Sequence, residues 1–241
     1  MWQRPADSGL ELRVLRALEG LPLEVRTGSG IGSVTATLNS GRPGPTILLR
    51  ADMDALPVTE RNDLPFASKV RTTYNGVETG VMHACGHDTH VAIMMGVAEA
   101  LAAMRSELPG TIKFMFQPAE EGPPQGERGG AELMIEEGVL ANPKVDVAFA
   151  LHINSQLETG HISYSPGGTY ASADDYRILV KGTQTHGGYP WDGTDPVSVP
   201  AARVGDVSMA ARPAVAGRRA RPRGCRPRQH QWSTRARRPA K

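Results

Sequence analysis

Short apolar runs alternate with polar breaks rich in glycine and proline, and each run carries the period of one kind of element. Thr46-Ile-Leu-Leu-Arg50 predicts a strand, entered from the turn segment Ser40–Pro45 and ending in Ala51-Asp-Met-Asp54. A polar, irregular stretch follows to about Met82. His83-Ala-Cys-Gly-His-Asp88 then opens a helix predicted from about Thr89 to Arg105. Val91, Met94, Met95, Ala98 and Leu101 share one of its faces, and Pro109-Gly110 stops it. Thr111–Gln117 reads as a second strand running into Pro118-Ala-Glu-Glu-Gly122. A short helix over Ala131–Glu137 and a third strand over Val145–Leu151, running into His152, complete the series.

Strand, helix, strand, helix, strand implies right-handed crossovers. The expected fold class is therefore α/β, a mostly parallel sheet with helices on both faces. In such sheets ligands collect outside the carboxyl ends of the strands, and every polar cluster just named follows a strand or opens a helix at that edge. After Ser172 the style changes. Asp174–Lys181 alternates like a half-buried strand, Gly182–Pro190 is a loop, and Asp195-Pro196 can cap a helix toward Val204. This is the pattern of a small, incomplete α+β unit. Three segments are expected: an α/β domain over residues 1–171, a partial second domain over 172–206, and a basic tail over 207–241.

Composition narrows the class. The chain has 241 residues, 39% of them hydrophobic, and 27 glycines bring the apolar-plus-glycine share to about half. Wholesale disorder and collagen are excluded, and two cysteines cannot staple a disulfide scaffold. The most apolar stretch, Val91–Met104, is too short for a bilayer and carries Glu99. Charges stud Met1–Gly20, so no secretory core is present there. The expectation is a soluble protein of the cytoplasm, with no membrane partner.

The net charge of +2 is unevenly spread. Residues 207–241 hold ten Arg and one Lys with no acid, which leaves −9 on residues 1–206. From Ala211 onward, 22 of 31 residues are Arg, Ala, Pro or Gly, without hydrophobic period. Such a segment cannot bury enough apolar surface to offset its ordering entropy. A phosphate-binding arm, a solvated tail and the product of a shifted reading frame all have this composition. With Trp232 the only aromatic beside the arginines, nucleic-acid binding is disfavoured. GC-rich codons, which encode these four residues, favour the frame change.

Cys85 and His87 lie two apart, a spacing that places both side chains on one side of an extended chain. Thiolate and imidazole together suit a borderline-soft divalent ion, although a buried cysteine is often only a small hydrophobe. His83, His90 and Asp88 lie in the same eight residues, and Asp88 could orient a ligating ring. Glu120 and Glu121 are a pair that a solvated loop also carries. At this sheet edge they divide well between holding a metal and accepting a proton. His152 ends an apolar strand, as a satisfied core histidine or as a further ligand. Asp52 and Asp54 end the first strand as structural or supporting acids. His186, between Thr185 and two glycines, means little alone.

Together, Arg50-Ala-Asp-Met-Asp-Ala-Leu-Pro57, His83-Ala-Cys-Gly-His-Asp88, Gln117-Pro-Ala-Glu-Glu-Gly122 and Ala150-Leu-His152 resemble the amidohydrolase branch of the M20 metallopeptidase family. That branch includes hippurate hydrolases, aminoacylases and auxin-conjugate hydrolases. Thr185–Pro196 is similar to the start of the family's lid domain, and the likeness runs over about residues 22–204. The resemblance implies a zinc-peptidase-like catalytic domain with two divalent ions (zinc, manganese, cobalt or nickel). Cys85, His87, Glu121 and His152 match metal ligands. Glu120 matches the general base acting on the metal's water, and His186 matches a lid histidine that steadies the oxyanion from a neighbouring subunit. The implied reaction is hydrolysis of N-acyl amino acids, in a chain whose intact relatives form homodimers. Two further expectations follow from likeness to relatives that continue well beyond Val204. The chain is truncated or frame-shifted there, and it has low activity. The competing readings are a catalytically dead fragment acting as a binding or regulatory partner, and an M20-type dipeptidase.

Overall fold

The computed structural model describes residues 9–28, 32–164 and 179–197. The chain falls into two units, residues 1–163 and 164–241. In the first unit the elements run α1 (Gly9–Leu18), β1 (Glu24–Thr27), β2 (Val34–Asn39), β3 (Thr46–Asp52), β4 (Arg71–Tyr74) and β5 (Val77–Gly80). α2 (His87–Ala103), β6 (Thr111–Gln117), α3 (Gly130–Glu136) and β7 (Val147–Ala150) follow.

Five strands form one sheet in the order β1-β2-β6-β3-β7. β3 is parallel to both β6 and β7, with Asp52 opposite Gln117 at one end of the β6 register. After β3 the chain crosses through α2 to β6 on one side. After β6 it returns through α3 to β7 on the other side of β3. The carboxyl end of β3 is thus a topological switch point, where open α/β sheets form their ligand crevice.

The faces are covered as expected, one by α1 and α2 and the other by α3. Val14 and Leu18 of α1 and Val91, Met94 and Ala98 of α2 pack on Ala36, Leu38, Ile112, Phe114 and Phe116. Leu48 and Met115 meet Met134 and Val139 on the opposite face. Covered from both sides, β6 is buried from Ile112 to Gln117. Its one lysine, Lys113, donates from Nζ to the carbonyls of Val139 (2.8 Å) and Pro143 (3.0 Å). Those bonds offset the cost of burying its charge, while desolvation still lowers its pKa.

Three features differ from the expectation. The sheet is mixed: β1/β2 and β2/β6 are antiparallel, half of the four pairings. The signal was the alternation of Val34, Ala36 and Leu38 with threonines, buried against half-buried. The stretch expected to be irregular up to Met82 contains the β4–β5 hairpin. Its turn is Asn75-Gly76, both at positive φ (49° and 79°), a dipeptide suited to a two-residue hairpin loop. Cys85 and His87 are not neighbours on an extended chain. Cys85 lies in a turn, Gly86 is left-handed (φ 86°), and His87 begins α2, two residues before the expected start.

In the second unit, Thr183 and Thr194 bridge antiparallel and Pro190–Asp192 forms a 3-10 turn. The strand expected over Asp174–Lys181, the helix beyond Pro196 and the basic tail fall largely outside the described residues. Among the described residues no helix is long and apolar enough to cross a membrane.

Candidate metal centre

Four segments deliver polar side chains to the carboxyl edge of the sheet. β3 supplies Arg50 and Asp52 and leads to Asp54. The loop after β6 supplies Glu120 and Glu121, the start of α2 supplies Cys85, His87 and His90, and the chain after β7 supplies His152. Gly86 permits the tight turn into α2, because a Cβ there would lie 2.2 Å from Ile153 Cδ1.

Three donor trios form, in each of which the ligand atoms lie within 4.8 Å of one another. They are Cys85/His87/His152, His87/Glu120/Glu121 and Asp52/His87/His90. Cys85 Sγ is 3.3 Å from His152 Nε2. His87 Nδ1 donates to the Asp54 carbonyl oxygen (2.9 Å), and His152 Nδ1 to that of Ile153 (2.7 Å). A donating Nδ1 leaves the Nε2 lone pair as the acceptor of each neutral ring. His87 Nε2 is buried without a hydrogen-bond partner. It sits 3.7 Å from Asp52 Oδ2 and 3.9 Å from Glu120 Oε2.

The chemistry of this donor set fits a divalent cation. A bare imidazole lone pair buried among carboxylates is costly unless something electropositive meets it. Burial, a hydrogen bond with Glu121 and the nearby acids push the Cys85 thiol up to about 11. A cation held there would reverse that bias and favour the thiolate. For His87, burial lowers the pKa, but the Asp54 hydrogen bond and the charges of Asp52, Asp54 and Glu120 raise it overall. The donors that could hold metal are those of the three trios, with His87 common to all of them.

Asp54 organises the acidic loop. Its Oδ1 accepts the Glu120 N–H and its Oδ2 the Glu121 N–H, both at 3.0 Å. Burial works to raise its pKa, but the His87 ring and these two N–H groups outweigh it and hold the carboxyl below its ordinary value. Ala119, at φ 52°, turns the chain so that these N–H groups face Asp54.

Two residues join the centre that the motifs alone did not single out for a role. Arg50 Nη1 is 2.8 Å from Asp52 Oδ2, its Nε donates to Gln117 Oε1 (2.8 Å), and its Nη2 is 3.7 Å from Glu120 Oε1. The spacing of Arg50 and Asp52 on one strand face was the available signal. His90 is fully enclosed, with Nδ1 2.5 Å from Asp52 Oδ1 and Nε2 accepting the Ile153 N–H at 2.9 Å. Asp88 is exposed on the first turn of α2, and its charge acts on His83. The partners of Nδ1 in the His87 and His152 rings are backbone carbonyls. His186 belongs to the second unit, where its Nδ1 accepts the Gly188 N–H at 3.0 Å. Its ring lies 5.6 Å from that of Tyr189.

Fold and site together define an α/β domain with a candidate divalent-metal centre at the switch point of its sheet. A family model described as peptidase family M20/M25/M40 matches residues 48–226, past the Val204 where the motif likeness was placed to end. The chain belongs to this family. It is 42% identical over 187 residues to thermostable carboxypeptidase 1 of Saccharolobus solfataricus, covering 77% of this chain and 44% of that protein. It is also 42% identical over 165 residues to N-acetylcysteine deacetylase of Bacillus subtilis, covering 68% and 40%. Among solved structures, a candidate aminohydrolase from methicillin-resistant Staphylococcus aureus superimposes with a TM-score of 0.67 at 35% identity, covering 84% and 50%. The Bacillus subtilis YXEP protein, a dinuclear metal-binding peptidase of the M20 family, gives 0.52 at 39% identity, covering 62% and 38%. The chain therefore spans half or less of the length of these relatives.

Proposed function

We propose that this chain carries the metal centre of an amidohydrolase that cleaves the amide bond of N-acyl amino acids. The observation that carries the reading is the convergence of Cys85, His87 and His152 on the rim that holds Glu120 and Glu121. Two trios sharing His87 suit two divalent ions, of the zinc, manganese, cobalt or nickel kind. Bound there, divalent metal supplies Lewis-acid polarisation of the scissile carbonyl and acidifies water.

The protein's own groups do the rest. Glu121, hung from Asp54 beside Glu120, serves as a ligand. Glu120 is about one-third exposed (37%) and faces both Arg50 and His87. That position suits it to accept the proton of the attacking water and deliver it to the departing amine, a role worth about 10²–10⁴ in rate. Asp54 positions both glutamates through their backbone N–H groups, and Asp52 and Arg50 hold the charge balance behind them. His186 is the proposed oxyanion donor, acting at the site of a neighbouring subunit. With Nδ1 accepting from Gly188, its neutral form carries the proton on Nε2, the tautomer such a donor requires. Residues 1–171 would carry the metal centre, and residues 172–206 the lid segment bearing His186.

The test is release of free amino acid from N-acetyl and N-benzoyl amino acids by the full chain with added Zn²⁺, Mn²⁺, Co²⁺ or Ni²⁺, beside Glu120→Ala. A loss of two or more orders of magnitude in the variant is expected, and equal rates remove the mechanism. A relative named as a carboxypeptidase favours a second reading, in which peptides are the substrates. Cleavage of peptides without cleavage of N-acyl amino acids would select it.

A further inference from the structure

His90 stands in one of the three donor trios and, like the two rings beside it, donates from Nδ1, yet its Nε2 is already engaged by a backbone N–H. His87 and His152 each give Nδ1–H to a backbone carbonyl, which puts the lone pair on Nε2; that of His87 meets no hydrogen-bond donor and that of His152 faces Cys85 Sγ at 3.3 Å. His90 instead receives the Ile153 N–H on Nε2, at 2.9 Å. Its lone pair is therefore already used. An accepting Nε2 places the ring's single proton on Nδ1, where it points at Asp52 Oδ1. Asp52 is in turn held from its other oxygen by Arg50, 2.8 Å away.

The peptide that His90 grips is the one that orients His152. Ile153 gives its N–H to His90 and takes the Nδ1–H of His152 on its carbonyl oxygen. The two rings are packed edge to face, with centroids 4.6 Å apart. The Ile153 side chain closes over Gly86, between Cys85 and His87. A chain of contacts thus runs from Gln117 through Arg50, Asp52 and His90 to Ile153 and His152, joining the ends of β6, β3 and β7 to α2.

We propose that His90 is a positioning residue rather than a ligand, locked as the Nδ1–H tautomer, and that it holds Ile153 so that His152 presents Nε2 to the cation. The ligand role of His152 rests on the amidohydrolase reading, whereas the hydrogen-bond pattern of His90 stands without it.

Long-range proton–nitrogen spectra of the full chain labelled with ¹⁵N-histidine, taken without metal and then with excess Zn²⁺, test this without any variant having to fold. The expected result is an Nδ1-protonated His90 whose nitrogens keep their shifts on metal addition while the Nε2 signals of His87 and His152 move. A proton on Nε2 of His90 in the metal-free chain, or a metal-induced shift of that nitrogen, overturns the proposal. Co²⁺ titration adds a second arm. His90→Leu is expected to lose about 10–100-fold in affinity, as partners that orient metal ligands typically do. His90→Gln is expected to regain most of it, since an amide can donate to Asp52 and accept from Ile153. Unchanged affinity in His90→Leu overturns the positioning role. A chain that binds neither ion overturns the amidohydrolase reading, and the metal-free spectrum still decides the tautomer.

Discussion

Cys85 keeps its thiol proton up to about 11 because burial and the neighbouring Glu121 disfavour the anion. A thiol ligates only as thiolate, so each cation bound through Cys85 displaces that proton. Between pH 6 and pH 8 the thiol is protonated in the metal-free chain. Affinity for Zn²⁺ or Co²⁺ should therefore rise with pH, about tenfold per pH unit for one proton displaced. His87, whose pKa is raised by its carboxylate neighbours, adds a second competing proton toward the acid end and steepens the slope there. Titrations at several pH values check the sign. A pH-independent affinity would mean that Cys85 is not a ligand. The same carboxylates make His87 a better base when no cation is present and a better-placed ligand when one is, so a single arrangement accounts for both behaviours.

The start of α2 concentrates the geometric demands of the site at element scale. Gly86 must adopt φ 86° and must leave room for Ile153 Cδ1, which a Cβ would approach to 2.2 Å. Left-handed backbone costs an ordinary residue about 1–2 kcal/mol, and the Ile153 clash adds to it. Gly86→Ala is thus expected to lower the melting temperature and, by displacing Ile153, to weaken Co²⁺ binding. Gly76→Ala supplies the control: it sits at φ 79° in the β4–β5 turn with open space around it. That change should destabilise the chain by a comparable backbone penalty while leaving metal affinity alone. Equal effects of the two substitutions on Co²⁺ affinity would contradict the link from Gly86 through Ile153 to the centre.

For the whole molecule, β7 is one of the two exposed edge strands of the sheet, and β1 is the other. Strand β7 pairs with β3 on one side, and among the described residues no strand pairs with the other. All four of its residues are exposed, with Phe149 at 57% and Val147 at 41%. An unpaired edge bearing apolar side chains invites pairing with another chain. Self-association that grows with concentration is expected, and Phe149→Lys should reduce it in light scattering at fixed concentration. A strictly monomeric parent chain would remove this expectation. Association of this kind would be separable from the centre, since Phe149 is not among the donor trios.

The residue types and their order already announced much of this. Thr46–Arg50, Thr111–Gln117 and the helix after Asp88 carry their own period, because burial on one or two faces imposes it locally. The motifs named Cys85, His87, Glu120, Glu121 and His152 because few other roles group those side chains at strand ends. The Asn75-Gly76 hairpin and the alternation of β2 were equally local signals; reading the stretch after Asp54 as irregular passed over the first, and no element was expected before Thr46 where the second lies. Three things depended on residues far apart in the chain. One is the antiparallel join of β2 to β6 across more than 70 positions. Another is the suspension of Glu120 and Glu121 from Asp54. The last is the difference between His87, whose Nε2 meets no hydrogen-bond donor, and His90, whose Nε2 is taken by Ile153. A ring nitrogen's role is set by whichever donor or acceptor folding brings against it, and no spacing along the chain encodes that.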